Sequence, residues 1–207
     1  MAIKSNTLMP LSAAILAIAA LASCGEDTGA GDDAAGESVT AQANLLFPDS
    51  FKGVCSGATV STATAYDPAG KTHKALYFAT YKDDLMDQSS TLPGDWTVLF
   101  SPDSDALRAV DLVVCARRTA AQEVKVCDGY ETDDKPTQNK VRWHTATYEL
   151  SVREATTGRT LAETTVEATE SDCPMFWSFS GDADTEEGYA SLPDTAVADF
   201  LRPHIAP

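Results

Sequence analysis

Three histidines are the side chains of this chain that could act as general bases near neutral pH. His73 follows the turn sequence Pro68-Ala69-Gly70-Lys71-Thr72, which predicts a solvated imidazole. His144 shares a predicted strand face with apolar residues, so we expect it in the core or at the core edge. His204 follows Pro203, where we expect a frayed chain end. Each histidine therefore has a structural interpretation, and none is predicted to be catalytic.

No nucleophile motif accompanies these histidines. The chain has no Gly-x-Ser-x-Gly elbow, no Ser-x-x-Lys pair, no His-Glu-x-x-His helix and no phosphate-binding glycine loop. The nearest sequence is Gly53-Val54-Cys55-Ser56-Gly57, in which the serine is misplaced for an elbow. The sequence therefore favours a protein without a catalytic residue or a cofactor, although a novel active site would carry no such motif.

Acidic residues could bind calcium or supply a carboxylate pair for hydrolysis. Residues 182–188 read Asp-Ala-Asp-Thr-Glu-Glu-Gly, which places acids at positions 1, 3 and 5 of a calcium loop. The match then fails, because the glycine is seventh instead of sixth and the twelfth residue is Pro193. Smaller acidic clusters lie at residues 83–87, 103–105 and 133–134. We predict solvated loops and no metal site, with a calcium-stabilised surface module or a hydrolase that uses two carboxylates as alternatives.

The densest cluster of aromatic residues is Phe176-Trp177-Ser178-Phe179, close after Cys173. In an extended chain, Phe176 and Ser178 point to one side, and Trp177 and Phe179 point to the other. Large rings are usually buried, yet this alternation leaves at least one of them at the surface. Phe176, Trp177 and Phe179 therefore form the candidate binding patch, which could contact a peptide or a glycan.

Residues 1–23 have the composition of a signal peptide. Lys4 is their one charged residue, and an apolar run from Leu8 to Ala22 follows it. This run is shorter than the roughly 20 apolar residues of a membrane-spanning helix. It ends in Leu21-Ala22-Ser23-Cys24, which resembles the lipobox of bacterial lipoproteins. The resemblance covers this targeting segment alone, and the alternative is simple secretion with Cys24 as an ordinary thiol.

The lipobox resemblance implies that Cys24 is lipidated and anchors the protein to the cell membrane on the extracytoplasmic side, in the periplasm or at the cell surface. Residues 24–43 are rich in glycine and acids and lack bases and aromatic residues, so they are predicted to form a disordered tether. The formal net charge of −16 excludes a generic nucleic-acid binder, which needs Lys and Arg to neutralise phosphates.

Four further cysteines follow the tether, namely Cys55, Cys115, Cys127 and Cys173. An even number in an exported domain indicates two disulfides. Antiparallel pairing of residues 112–117 with residues 124–127 sets Cys115 opposite Cys127 and places the neighbouring valines on one face. We therefore predict Cys115–Cys127 and, by elimination, Cys55–Cys173. The absence of Cys-x-x-Cys pairs disfavours a zinc site.

Seven segments with alternating or β-branched residues lie between turn signals. They cover residues 58–66, 74–81, 96–100, 109–117, 123–130, 141–154 and 159–169. They predict a mainly β fold, an antiparallel sheet or sandwich of about seven strands, with α+β as the alternative. A short C-terminal helix is predicted to begin at the capping sequence Ser191-Leu192-Pro193-Asp194 and to end at Pro203.

The last two predicted strands can be paired residue by residue. A three-residue loop at 156–158, with Gly158 at positive φ, sets Val152 opposite Ala162, Leu150 opposite Thr164, Tyr148 opposite Val166 and Ala146 opposite Ala168. The large apolar side chains then share one face of the hairpin. We expect the other face, which carries Thr147, Glu149, Ser151 and Arg153, to be solvated.

Residues 44–207 are enough for one domain, and no repeat or second linker divides them. Together these features predict a membrane-anchored lipoprotein that displays one disulfide-bonded, β-rich domain for binding or envelope assembly, without catalysis. The expected partners are the membrane, through the lipid, and an envelope protein or a glycan.

Overall fold

The computed structural model of the protein describes residues 45–82, 84–98, 103–133, 135–180 and 184–206. These residues belong to one compact unit of the chain, residues 38–207. The predicted signal peptide, Cys24 and the tether at residues 24–43 lie outside the described residues. No helix in the described part of the chain is long and apolar enough to cross a membrane.

The described elements are mostly strands. The strands are β1 (Ala75–Thr80), β2 (Met86–Ser89), β3 (Leu112–Cys127), β4 (Glu131–Thr132), β5 (Lys135–Pro136), β6 (Lys140–Glu154), β7 (Thr160–Ala168) and β8 (Thr185–Tyr189). The helices are α1 (Asp49–Lys52), α2 (Ser104–Arg108) and α3 (Asp194–Ile205), and a 3-10 turn (Gly53–Ser56) follows α1. The prediction of a mainly β fold with a short C-terminal helix is confirmed.

Six of the strands form one mixed sheet in the order β2-β1-β3-β6-β7, with β8 also paired to β6. β1 is parallel to β3 and β8 is parallel to β6, while the other pairs in this sheet are antiparallel. The sheet is therefore not purely antiparallel. β6 pairs with β3 along one edge, and its other edge pairs with β8 through residues 140–144 and with β7 through residues 146–153.

Apolar residues cover both faces of the sheet near β1 and β3. Leu112 and Val114 belong to a first core cluster, which also contains Val197, Leu201 and Ile205 of α3. Val113 and Cys115 face the second cluster, which contains Phe51 of α1, Val54 of the 3-10 turn and Leu107 of α2. Alternate residues of one strand therefore enter different cores, as the pleat requires.

The β6–β7 hairpin has the predicted register. Val152, Leu150, Tyr148 and Ala146 lie opposite Ala162, Thr164, Val166 and Ala168, and Gly158 has φ of 69°. A bulge makes Arg153 pair with Thr160, where the simple register would give Leu161. Ser151 was predicted to be solvated but is buried, because it lies opposite Cys115, whose bridge to Cys55 brings the 3-10 turn over this face.

The predicted disulfide connectivity is wrong. The bridges are Cys55–Cys115, with a Cα–Cα distance of 5.6 Å, and Cys127–Cys173, with a Cα–Cα distance of 5.7 Å. The two predicted strands at residues 109–117 and 123–130 are one continuous strand, β3. Twelve residues of extended chain separate Cys115 from Cys127, which is about 40 Å, and a disulfide needs Cα atoms within about 7 Å.

Two predicted strands are absent from the described residues, and the predicted end and capping of the C-terminal helix are wrong. Residues 58–66 form turns and irregular chain, and the described residues 96–98 contain no strand. The C-terminal helix continues through Pro203 to Ile205, and Pro193 at its N-cap accepts no side-chain capping bond. Pro203 lies in the last turn, so only two residues of the helix follow the hydrogen bond that its missing N–H removes.

Candidate functional site

A groove lined by aromatic residues is the candidate binding site. It has a volume of about 530 Å³ and lies between residues 129–132 and residues 175–179, and we call it the aromatic groove. Phe176 is 86% exposed, and its neighbour Met175 is 83% exposed. Trp177 and Phe179 are half-buried and pack against the first core cluster. The predicted alternation of the patch is therefore present, with Phe176 as the exposed ring.

A disulfide and a carboxylate fix the segment that carries Phe176. The Cys127–Cys173 bridge ties the start of this segment to the end of β3. Glu186 of β8 accepts hydrogen bonds from Trp177 Nε1, at 3.0 Å, and from the Ser180 backbone N–H, at 2.6 Å. Lys82 Nζ lies 3.7 Å from Glu186 Oε1. These contacts hold the segment at both ends, although its residues have no strand partner.

The charge of Glu186 is important for this arrangement. The hydrogen bond from the Ser180 backbone lowers the pKa of Glu186, and the Trp177 hydrogen bond and the Lys82 charge lower it further, against the opposing effect of burial. Glu186 is therefore an acceptor for two donors throughout the neutral pH range. The side chain acts as a positioning residue, since it holds Trp177 and Ser180 without lining the groove itself.

Trp143 of β6 forms the base on which Trp177 packs. The two indole rings meet edge to face, with 6.2 Å between centroids, and Trp143 Nε1 donates to the Glu170 carbonyl at 3.0 Å. Gly188 of β8 lies directly against Trp143, because a Cβ at this position would be 2.6 Å from Trp143 Cε3. The missing side chain of Gly188 thus allows β8, and with it Glu186, to approach Trp143.

Tyr130 forms the opposite wall of the groove. Its ring packs edge-on against Phe179, with 5.3 Å between centroids, and burial raises the pKa of the Tyr130 phenol. The hydroxyl is buried and has no hydrogen-bond partner among the described residues. Thr137 donates to the Tyr130 carbonyl through both its N–H and its hydroxyl, which closes the β4–β5 hairpin next to the groove. The wall is therefore ordered by its backbone.

Acidic residues line the aromatic groove or lie close in sequence to its lining residues. Asp128, Glu131, Asp133 and Asp172 are all exposed, and none of them forms an ion pair with a described residue. Lys135 is the one base in the described residues between positions 128 and 136. A ligand of this groove therefore meets aromatic rings together with one lining carboxylate, Glu131.

His73 is buried, so its predicted solvation is wrong. It is 5% exposed, and its Nδ1 lies 2.5 Å from Asp111 Oδ2. Asp111 also accepts a hydrogen bond from the backbone N–H of Lys74, at 3.0 Å. The pair has the geometry by which a carboxylate orients a catalytic imidazole.

The surroundings of His73 do not complete a catalytic site. Its Nε2 is buried without a hydrogen-bond partner among the described residues. Gly70 closes this side, since a Cβ at Gly70 would lie 3.3 Å from Nε2, and the Tyr66 ring packs at 5.0 Å from the imidazole. The described structure thus places neither a nucleophile nor an opening beside Nε2. The pair links the segments that precede β1 and β3.

The other two histidines also have structural contacts. His144 lies at the core edge, as predicted, where its ring stacks on Tyr189 at 5.0 Å and its Nε2 lies 3.4 Å from Glu187. The expected frayed end at His204 is wrong, because His204 lies in α3 and its carbonyl accepts a hydrogen bond from the Tyr66 hydroxyl.

The acidic segment tested as a calcium loop contains a strand. Residues 185–189 form β8, so Glu186 and Glu187 point to opposite faces. Glu186 contacts Trp177, whereas Glu187 pairs with Arg142 at 2.6 Å. The two side chains therefore cannot ligate one cation together. No group of three metal-ligating side chains occurs among the described residues.

Two other cavities of the described residues have little in common with the aromatic groove. One of about 360 Å³ is lined by small residues of β3, β6 and β7, together with Glu167. The other, about 260 Å³, adjoins the Cys55–Cys115 bridge and contains Glu149, which pairs with Arg117 at 2.7 Å. Each of these two cavities is lined by a single carboxylate, and so is the aromatic groove, through Glu131. A glycosidase-type hydrolase would need two carboxylates in one site.

Comparison with known proteins adds no assignment to this geometry. No protein-family model, no curated protein and no solved structure matches the chain.

Proposed function

We propose that the protein is a lipid-anchored, extracytoplasmic binding protein whose aromatic groove holds a segment of another envelope protein, without catalysing a reaction. The observation that carries this proposal is the exposure of Phe176, at 86%, on a segment that a disulfide and Glu186 hold in place. The lipid anchor at Cys24 is part of the proposal and is supported by the lipobox sequence.

The exposed pair Met175 and Phe176 favours a protein ligand. Transfer of one such side chain from water to an apolar contact is worth about 1.5 to 3 kcal/mol. Aromatic side chains and methionine are enriched at protein interfaces, where a few of them supply most of the binding energy. Because the Cys127–Cys173 bridge and Glu186 hold the backbone on both sides of Phe176, little backbone conformational entropy is lost when a partner covers this side chain.

The acidic tether and the acidic domain support display away from the membrane. Anionic headgroups repel a chain with a net charge of −16, so the domain is not expected to lie flat on the bilayer. A glycine-rich tether of about 19 residues has a root-mean-square reach of roughly 25 Å, which is enough to clear the headgroups. The groove is then available to partners in the envelope.

The binding proposal is tested by in-cell photo-crosslinking of the full-length chain. A photoreactive residue is placed at Ser178, which is exposed and lines the groove. We expect a discrete crosslinked protein that disappears in Phe176→Ala. Phe47→Ala is the matched control, because Phe47 is also exposed, at 56%, and does not line the groove. It should retain the crosslink.

Three outcomes would contradict parts of the proposal. An identical crosslink pattern in Phe176→Ala would remove the groove as the binding site. Retention of an envelope polysaccharide by the unmodified chain but not by Phe176→Ala would replace the protein partner with a glycan. Incorporation of labelled palmitate tests the anchor separately, since labelling that persists in Cys24→Ala, or is absent from both chains, would refute lipidation at Cys24.

A further inference from the structure

β7 has a free edge that is unusually regular. Its inner edge pairs with β6, and no described residue forms a backbone hydrogen bond with its outer edge. From Ala162 to Ala168 the β6–β7 register contains no bulge. This is a bulge-free edge of about 20 Å, with alternate N–H and C=O groups directed away from the sheet.

The other free edges of the described sheet are shorter or interrupted. β2 has four residues and β8 has five. β3 is free on one side beyond its pairing with β1, but its register shifts between Arg118 and Ala120 and again between Glu123 and Lys125. Bulges of this kind twist an edge and prevent continued pairing. β7 is thus the edge at which a further strand can add over several residues.

The side chains of β7 define what that strand must carry. Glu163, Thr165 and Glu167 share one face, and both glutamates are exposed and without an ion pair among the described residues. The opposite face carries Ala162 and Val166, and Val166 packs partly buried on the first core cluster. β7 contains no Lys, Arg or Pro, so nothing on the strand itself neutralises the glutamates or blocks pairing.

We propose that the outer edge of β7 accepts an added strand from a partner protein, and that this strand alternates apolar residues with Lys or Arg. The basic residues face Glu163 and Glu167, which are four positions apart, and the apolar residues continue the face of Val166. Strand addition gives affinity through backbone hydrogen bonds and specificity through alternate side chains. A second copy of this chain fits poorly, because an antiparallel β7–β7 pair would bring four glutamates to one face without a base.

The test uses the full-length chain in detergent and the peptide acetyl-Val-Lys-Val-Thr-Val-Lys-Val-amide, whose lysines have the spacing of the two glutamates. Two control peptides are the same sequence with Glu in place of Lys and the Lys peptide with N-methyl groups at alternate residues. We expect the Lys peptide to bind at least about ten-fold more tightly than either control. Hydrogen exchange should show new protection in β7 alone.

Charge-reversed variants separate this edge from the aromatic groove. Glu163→Lys with Glu167→Lys should reverse the preference between the Lys and Glu peptides, with an unchanged Tm. Glu131→Lys with Asp133→Lys, at the aromatic groove, should leave the preference unchanged. Failure of the Lys peptide to bind, equal binding of the N-methylated peptide, or new protection in the groove instead of β7 would overturn the proposal. Protection of the outer β7 amides before any peptide is added would also overturn it, since the edge would already be occupied.

Discussion

Replacement of Glu186 by Gln tests how the aromatic groove is held. Glu186 uses its two oxygens for two different donors, the Ser180 N–H at 2.6 Å and Trp177 Nε1 at 3.0 Å. Its side chain is 9% exposed, so water replaces these contacts poorly. Glutamine has the same shape but one acceptor oxygen, and its amide group presents hydrogens to one of the two donors.

The expected cost is the loss of one hydrogen bond to a charged group and the weakening of the other. Hydrogen bonds to charged groups contribute about 1.5 to 3 kcal/mol. We therefore expect Glu186→Gln to lower the free energy of unfolding by about 2 kcal/mol at pH 7. For a domain of this size, this corresponds to a decrease in Tm of about 4 to 8 °C.

The pH dependence has a definite sign. The folded-state pKa of Glu186 is lowered, so its carboxylate stabilises the fold above the unfolded pKa of about 4.3. This contribution is lost as the pH falls through the folded-state pKa. The stability difference between the unmodified protein and Glu186→Gln should therefore be full at pH 7, begin to decrease below about pH 4.3 and become small once Glu186 is protonated.

Urea denaturation at several pH values, followed by tryptophan fluorescence, measures this difference. Trp177 reports on the groove, because its indole N–H is one of the two donors to Glu186. Glu187→Gln is the matched control, since Glu187 pairs with Arg142 at the surface and is 38% exposed. It should change the free energy of unfolding by at most about 1 kcal/mol. A difference for Glu186→Gln that stays constant down to pH 2, or an equal effect of Glu187→Gln, would refute this explanation of the groove.

Three further predictions concern the framework of the domain. Mass spectrometry of an unreduced digest should give the linked pairs Cys55–Cys115 and Cys127–Cys173, and replacing both members of either pair by serine should cost about 4 kcal/mol in urea denaturation. Asp111→Ala should lower the free energy of unfolding by about 3 kcal/mol or more, because His73 Nδ1 and the Lys74 backbone N–H lose their buried acceptor. A decrease below about 1 kcal/mol would contradict this role of Asp111. Gly188→Ala should lower the free energy of unfolding by about 1 to 3 kcal/mol and change the near-ultraviolet circular dichroism of Trp143, since the added Cβ overlaps the Trp143 ring. An unchanged spectrum would contradict the close approach of β8 to Trp143.

The β6–β7 hairpin was predictable in detail because several local signals agree. Tyr148, Leu150 and Val152 alternate with polar residues, and Gly158 supplies the positive φ that the connection requires. A shift of one residue would move the apolar residues of one strand to the other face, and the three-residue loop at 156–158 selects among the registers that remain. The bulge at Arg153 was not predictable. The alternating apolar residues of β6 end at Val152, so the pattern carries no signal for the pair that follows.

The length of β3 shows why local signals fail elsewhere. Its middle, from Arg117 to Glu123, is polar and resembles a connection between two short strands. In the structure these residues are largely exposed, so no apolar alternation is needed to keep them in the strand. The wrong disulfide pairing follows from this error, since it assumed a hairpin between Cys115 and Cys127 where the chain is straight.

The His73–Asp111 pair could not be predicted from spacing, because the two residues are 38 positions apart in loops. They meet since β1 and β3 are parallel neighbours, with Ala75 opposite Leu112, so the segments before both strands lie at the same edge of the sheet. Parallel pairing has no turn signal in the sequence. For the groove, alternation predicted at least one exposed ring without identifying it as Phe176. Tyr130, in the connection between β3 and β4, and Glu186, in β8, had no local signal.

β6 connects the two proposed binding surfaces and also explains why they can act separately. Its first residues pair with β8 and carry Trp143, which is the base of the aromatic groove, while its later residues pair with β7. The groove depends on side-chain contacts of Trp143, Trp177 and Glu186, whereas the β7 edge depends on backbone groups. A change such as Phe176→Ala removes no contact of β7. The effects of groove and edge substitutions on partner binding should therefore add independently, as expected for sites without shared contacts.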